Sequence, residues 1–138
     1  MHKVSVILNC LNSTEYLREA IDSVYAQTYS NWEIILWDNA STQDVQSFIK
    51  GYDNRLSYFR AVKTVNLGEA RNLAMSKATG NLIAFLDCDD IWMPEKLSLC
   101  IPRFDDPEVG LAYTNWTVFN SAGYKKLTYD GISPPDNG

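Results

Sequence analysis

The sequence predicts an α/β protein: a mostly parallel sheet with helices on both faces. Three features of the chain lead there. Short apolar runs rich in β-branched residues alternate with segments whose apolar residues recur at helical spacing, in the order strand, helix, strand, helix, strand, helix, strand. Two of the strand candidates run directly into carboxylates, Asp38 and the cluster Asp87-Cys88-Asp89-Asp90. The length, 138 residues, is that of one domain with a real core.

Lys3-Val4-Ser5-Val6-Ile7-Leu8-Asn9 suits a central parallel strand. Asn12-Ser13-Thr14-Glu15 reads as a helix start, with Asn12 as cap and Glu15 three residues on. Leu17, Ala20, Ile21 and Val24 then make one apolar face. Trp32 to Asp38 is the second strand. Ser41, in the turn-rich Asn39-Ala40-Ser41-Thr42, is placed to cap a helix that turns Val45, Phe48 and Ile49 inward. Leu56 to Arg60 is the third strand. Asn66-Leu67-Gly68 opens a helix with inner face Ala70, Leu73, Ala74 and Ala78, whose small residues imply close packing on a sheet.

Gly80-Asn81 turns into the fourth strand. Its five apolar residues, Leu82 to Leu86, are too few for a helix and read as a strand buried on both faces. Pro94 suits the first turn of a helix over Glu95 to Ile101, ended by Pro102. Leu111 to Phe119 reads as a strand, Asn120 to Gly123 as a hairpin turn, and Lys125 to Tyr129 as its return. Ser133 to Gly138 has the composition of an unfolded tail. The expected domain is 1–130 with a tail over 131–138. Its last patterned element is a hairpin without a covering helix, the pattern of a truncated domain.

Composition excludes several classes. A net charge of -5 argues against a nucleic-acid binder, and an anionic substrate must be met locally by metal or by a few placed cations. No apolar run approaches a membrane span. Cys10, Cys88 and Cys100 are odd in number and lack metal-ligand spacing, which fits a reducing compartment: the cytoplasm, or a peripheral place at the inner membrane face. His2 is the only histidine, so triad hydrolysis lacks a base. Asn9-Cys10-Leu11-Asn12 carries no glycine fingerprint after the first strand, which argues against a dehydrogenase.

The acidic cluster is where chemistry is expected. Asp87 and Asp89 lie two apart and leave extended backbone on the same face. At roughly 6 Å and an effective dielectric of about 20, such a pair repels by about 2–3 kcal/mol. A solvated acidic turn is the plain alternative. A divalent cation, Mg2+ or Mn2+, gives the repulsion a purpose, and the position outside a strand's carboxyl end favours it. Asp38 ends a second strand, so neighbouring strands would bring four carboxylates together. Arg71, at a helix start, could clamp a phosphate, with Gly68 allowing close backbone approach. Trp92 and Trp116 read as packing residues, with Trp116 kept as an acceptor-side candidate.

In this order, the blocks Val4 to Leu8, Ser23 to Tyr29, Trp32 to Ile35, Asp38 to Thr42, Asn66-Leu67-Gly68, Ala70-Arg71-Asn72, Ala78-Thr79-Gly80 and Phe85 to Asp90 resemble family 2 glycosyltransferases over roughly residues 3 to 125. The resemblance implies a GT-A fold, Rossmann-like, binding a nucleoside diphosphate sugar, with UDP-sugar as the expected donor. It places Asn9, Leu11, Asn12, Asp38, Gly68, Arg71, Asp87 and Cys88 at the nucleotide-sugar site. Asp38 would meet the base, Asp87 the ribose region, Arg71 the phosphates, and Asp89 the metal, with Asp90 completing the motif. It implies inverting transfer to a glycan, lipid-linked or other hydroxyl acceptor. Leu11 departs from a base-stacking tyrosine. No carboxylate after Asp90 matches the family's base; Asp105, Asp106 and Asp130 are loop or hairpin residues. A non-catalytic nucleotide-sugar module and a nucleotidyltransferase are the rival readings.

Overall fold

The computed structural model describes residues 1–120 and 123–125. Strands β1 (Val4–Cys10), β2 (Trp32–Asp38), β3 (Leu56–Arg60) and β4 (Leu82–Asp87) form one parallel sheet in the order β3-β2-β1-β4. Helices α1 (Leu17–Tyr25), α2 (Val45–Phe48), α3 (Leu67–Met75) and α4 (Lys96–Cys100) connect or follow them. A separate antiparallel pair joins β5 (Val118–Asn120) to β6 (Gly123–Lys125). The chain builds outward from β1 through β2 to β3, then returns to place β4 on the other side of β1. That reversal creates a switch point between β1 and β4, the position where ligands bind in open α/β sheets.

Alternation along the central strands serves two cores. Val4, Val6 and Leu8 of β1 and Ile34 and Leu36 of β2 pack with Leu17, Ile21 and Val24 of α1, Val45 of α2 and Leu97 of α4. Ile7, Ile35 and Trp37 face the other way, onto Ala70 and Ala74 of α3. Helices therefore cover both faces, and the small α3 alanines let it lie close to the sheet. Each fully buried Leu or Ile contributes roughly 1.5–3 kcal/mol, and Ile7, Leu8, Ile34, Ile35 and Leu36 place β1 and β2 at the centre of the core. Leu73, expected inward, is 37% exposed, at the flank of the α3 face that Ala70 and Ala74 bury.

Other expectations are corrected. β4 is an edge strand: Leu86 is buried, but Ile83 and Phe85 are 40% and 47% exposed. Among the described residues α3 lies over β1 and β2 and leaves that face of β4 open. Asn12 does not cap α1, whose cap position is Tyr16 without a side-chain bond, and α2 is capped by Asp44 through Ser47 N rather than by Ser41. Pro94 precedes the α4 cap, Glu95, and Pro102 continues the chain into a 3-10 turn, Ile101–Asp105. Leu111 to Thr117 is irregular, and only Val118–Asn120 is strand. The return over 126–129 and the tail lie outside the described residues.

Gly80 has a role that turn composition alone does not show. A Cβ there would sit 2.5 Å from Lys3 O and 2.8 Å from Ser5 N, so only glycine lets β4 enter beside β1.

Candidate functional site

The loops at the carboxyl ends of the strands are knitted by side chains. Asn12, at φ 51, accepts through Oδ1 from Thr42 N at 2.8 Å and from Gln43 N, while its own N–H donates to Ser41 Oγ at 3.0 Å. Asn39 exchanges two hydrogen bonds with the Val65 backbone, tying β2's end to the segment before α3. Asp38 is fully buried. Its Oδ1 accepts from Ser41 N at 2.8 Å, and its Oδ2 accepts from Tyr58 Oη at 2.7 Å and from Arg60. Burial pushes this carboxyl upward, but the bonds from Tyr58 and Ser41 and the Arg60 charge outweigh it and lower its pKa. Tyr58 and Arg60 were missed by sequence reasoning. The usable signal was register, since Arg60 stands beside Asp38 across β2 and β3.

The carboxylates at β4 lie elsewhere. By strand alternation Asp38 points to the α1 side of the sheet and Asp87 to the α3 side, with β1 between. The expected meeting of four carboxylates does not occur; Asp87, Asp89 and Asp90 share one turn, closed by Asp90 N donating to Asp87 O at 3.1 Å. Arg71 reaches from α3 to donate to Asp87 Oδ1 at 3.0 Å, its guanidinium 5.2 Å from the Phe85 ring centre. Burial, then the charges of Asp87 and Asp89, hold the Asp90 carboxyl above its usual range. Cys88 is buried between them and donates to Asn9 O at 3.0 Å; contact with Cys10 and burial push its thiol up. Leu11 is 45% exposed. A Cβ at Gly68 would meet Asn66 Oδ1 at 3.4 Å, an ordinary contact, so no protein atom demands glycine there.

Two cavities open here. One of about 320 Å³ is bounded by Asn12, Thr14, Gln43 and Cys88. One of about 840 Å³ is bounded by Glu19, Asp90, Ile91 and Trp116. Tyr16 and Asp89 line both. Trp92, by contrast, is a buried packing residue. Among the described residues, no group of three or more His, Cys, Asp or Glu side chains is arranged to hold a metal by itself. The donor set nevertheless suits one kind of cation site. Crowded carboxylates in one turn, raising Asp90, are hard oxygen donors with excess negative charge. That fits Mg2+ or Mn2+ held by one or two carboxylates and completed by substrate phosphates, and not a closed protein cage.

A switch point bearing an acidic turn, faced by an arginine from the next layer, is the arrangement of a GT-A fold. Solved structures agree. The mannosyltransferase PcManGT from Pyrobaculum calidifontis, in complex with GDP-Man and Mn2+, superposes with a TM-score of 0.74 at 26% identity, over 79% of this chain and 34% of that one. TarS 1-349 of S. aureus in complex with UDP gives 0.68 at 28% identity, over 76% and 32%. The profile of glycosyl transferase family 2 matches residues 5–134, and the chain belongs to that family. The E. coli UDP-Glc:alpha-D-GlcNAc-diphosphoundecaprenol beta-1,3-glucosyltransferase WfgD is 32% identical over 94% of the chain and 54% of its own length. The chain spans about half the length of that relative and about a fifth of two uncharacterized Rickettsia glycosyltransferases, 18% and 22%.

Proposed function

We propose that this chain binds the donor, a UDP-sugar, together with Mn2+ or Mg2+, for inverting transfer to a hydroxyl of a glycan or lipid-linked acceptor. The observation behind this reading is the Asp87–Asp90 turn at the β1/β4 switch point, facing Arg71. Asp89, shared by both cavities, would hold the cation, with Asp90 beside it. When bound, the metal supplies charge neutralisation of the leaving diphosphate. Arg71, held against Asp87, is positioned to give its remaining N–H groups to phosphate oxygens, helped by the N-terminal turn of α3. Asp87 then keeps the guanidinium oriented and lies beside the ribose region. Asp38, locked by Tyr58 and Arg60, shapes the turn under the base.

UDP rests on the names of relatives, since TarS is solved with UDP and WfgD is named for UDP-Glc. A lipid-linked acceptor rests on the WfgD name in the same way. Among the described residues no helix is long and apolar enough to cross a membrane. No base is assigned. Asp105 lies 3.4 Å from His2 across the amino end of the sheet, and Asp130 lies outside the described residues.

The test is thermal unfolding with UDP, with and without Mn2+. At ligand about one hundred times its dissociation constant, linkage gives about 2.7 kcal/mol, on the order of 10 °C for a domain of this size. No shift at saturating metal overturns the donor-site reading. Release of UDP from a bound donor, followed over hours, separates an enzyme from a non-catalytic module.

A further inference from the structure

Past Asp90 the chain runs through Ile91 to Glu95 without strand or helix before α4 begins at Lys96. The end of α1 and the residues just after it bind this backbone. Ser23 Oγ accepts from Trp92 N at 3.2 Å and donates to Ala20 O at 2.6 Å. Gln27 Nε2 donates to Met93 O at 2.8 Å and to Ser23 O at 3.1 Å. Its Oε1 accepts from Leu97 N at 3.0 Å, and Thr28 N donates to Pro94 O at 2.9 Å. Glu95, at the cap position of α4, makes no side-chain bond, so Gln27 supplies from elsewhere the acceptor that an early helix N–H needs.

Ser23 and Gln27 are both buried. Trp92 and Leu97 already pack into the same core as Ile21 and Val24, which holds the segment down but sets no register, because apolar contact is non-directional. An apolar side chain at position 27 would extend that contact without the penalty of burying an amide. Hydrogen bonds to Trp92, Met93 and Leu97 add what packing does not: they fix where the backbone lies. Trp92 stands two residues after Asp90, and the turn's other end is held by β4 and by Cys88 Sγ donating to Asn9 O. We propose that Gln27 and Ser23 are positioning residues for the cation turn: by fixing the backbone that leaves Asp90, they set where Asp89 and Asp90 stand for Mn2+ or Mg2+. This rests on the donor-site reading above and extends it to a helix end behind the site. Partners that orient a metal ligand typically change metal affinity by about 10–100-fold when removed.

The experiment uses Gln27→Met, which keeps length and removes every bond the amide makes, with Ser23→Ala as the milder change. Glu33→Ala, at the opposite end of the sheet, is the control for lost stability. Calorimetry measures Mn2+ binding to the chain in saturating UDP and UDP binding without metal, alongside melting temperature and amide exchange. Gln27→Met is expected to melt lower and to exchange the Leu97 amide faster. It should weaken Mn2+ binding about tenfold while leaving metal-free UDP binding within about twofold of the parent. Glu33→Ala should melt as low or lower and change neither affinity. Lower melting and faster exchange with Mn2+ affinity unchanged would show that the bonds serve only to hold α4, and would overturn the proposal. Equal loss with and without metal, or the same Mn2+ loss in Glu33→Ala, would also overturn it, since the effect would not belong to the cation turn. If Gln27→Met fails to fold, Ser23→Ala decides by the same split. Failure of the unsubstituted chain to take up Mn2+ with UDP would overturn the donor-site reading, and this one with it.

Discussion

The two ends of the sheet treat carboxylates in opposite ways. At the amino end, Glu33 accepts from Lys3 Nζ at 2.7 Å, Ser5 Oγ at 2.6 Å, Thr79 N at 2.7 Å and Thr79 Oγ1 at 2.9 Å. Burial acts to raise its pKa, but these donors win and hold it at about 2. At the carboxyl end, Asp87, Asp89 and Asp90 crowd one turn, and Asp90 is pushed upward by burial and by its neighbours. A carboxylate saturated by its own protein stabilises the fold. Carboxylates left crowded by their own protein are available to something that arrives later. Asp38 lies at the carboxyl end yet resembles Glu33, its two oxygens taken up by Ser41 N, Tyr58 and Arg60.

This contrast can be broken in graded steps. The largest effect is expected from Glu33→Ala, which strands Lys3, Ser5 and Thr79 and should cost about 3 kcal/mol in urea unfolding. UDP affinity should not follow it. The same residue gives a pH signature. Its folded pKa lies below the ordinary 4.5, so its contribution is fully present above about 4.5 and is lost as pH falls toward about 2. Glu33→Gln should flatten stability against pH across that window; an unchanged slope would mean that the network does not hold Glu33 ionised.

Gly80→Ala comes next, at about 2 kcal/mol, because backbone atoms of Lys3 and Ser5 cannot step aside as a flexible side chain would. Equal stability of this variant would place β4 less tightly against β1 than described.

At the functional end the expected stability changes are smaller and of the other sign. Ala40 is held at φ 62 in the Asp38–Ser41 turn. Left-handed backbone costs a residue with a Cβ roughly 1–2 kcal/mol, and glycine's extra chain entropy returns part of this, so Ala40→Gly should stabilise by about 0.5 kcal/mol. The smallest stability change is expected for Asp89→Asn, within about 0.5 kcal/mol of the parent because crowding is relieved. Its Mn2+-dependent share of UDP binding should nevertheless vanish. Metal-dependent binding equal to the parent's would move the ligand role to Asp87 or Asp90.

Much of the fold was legible in the sequence because it depends on local pattern. Trp32 to Asp38 and Leu56 to Arg60 are strands over the expected residues, and Leu17, Ala20, Ile21 and Val24 are the buried face of α1. The helix expected to open at Asn66-Leu67-Gly68 starts there, with Asn66 as its cap accepting from Glu69 N. Alternation, helical spacing and capping act within a few residues, so they can be read without knowing what lies across the sheet.

What escaped depends on neighbours distant in sequence. Five apolar residues in β4 could not show that it is an edge strand with Ile83 and Phe85 exposed, since strand order is set by how the whole sheet assembles. Nothing local marks Asn12 as a strut to Thr42 rather than a cap, or Arg60 as the cation of Asp38. Likewise nothing in Gln27 itself shows that folding brings its amide to Met93 O and Leu97 N. The sequence by itself determined the four strands of the sheet, the family and the place of the acidic residues at the end of β4. Only the tertiary structure decided which carboxylates are satisfied and which donors are not, because satisfaction depends on groups that folding brings from as far as 20 or 79 residues away.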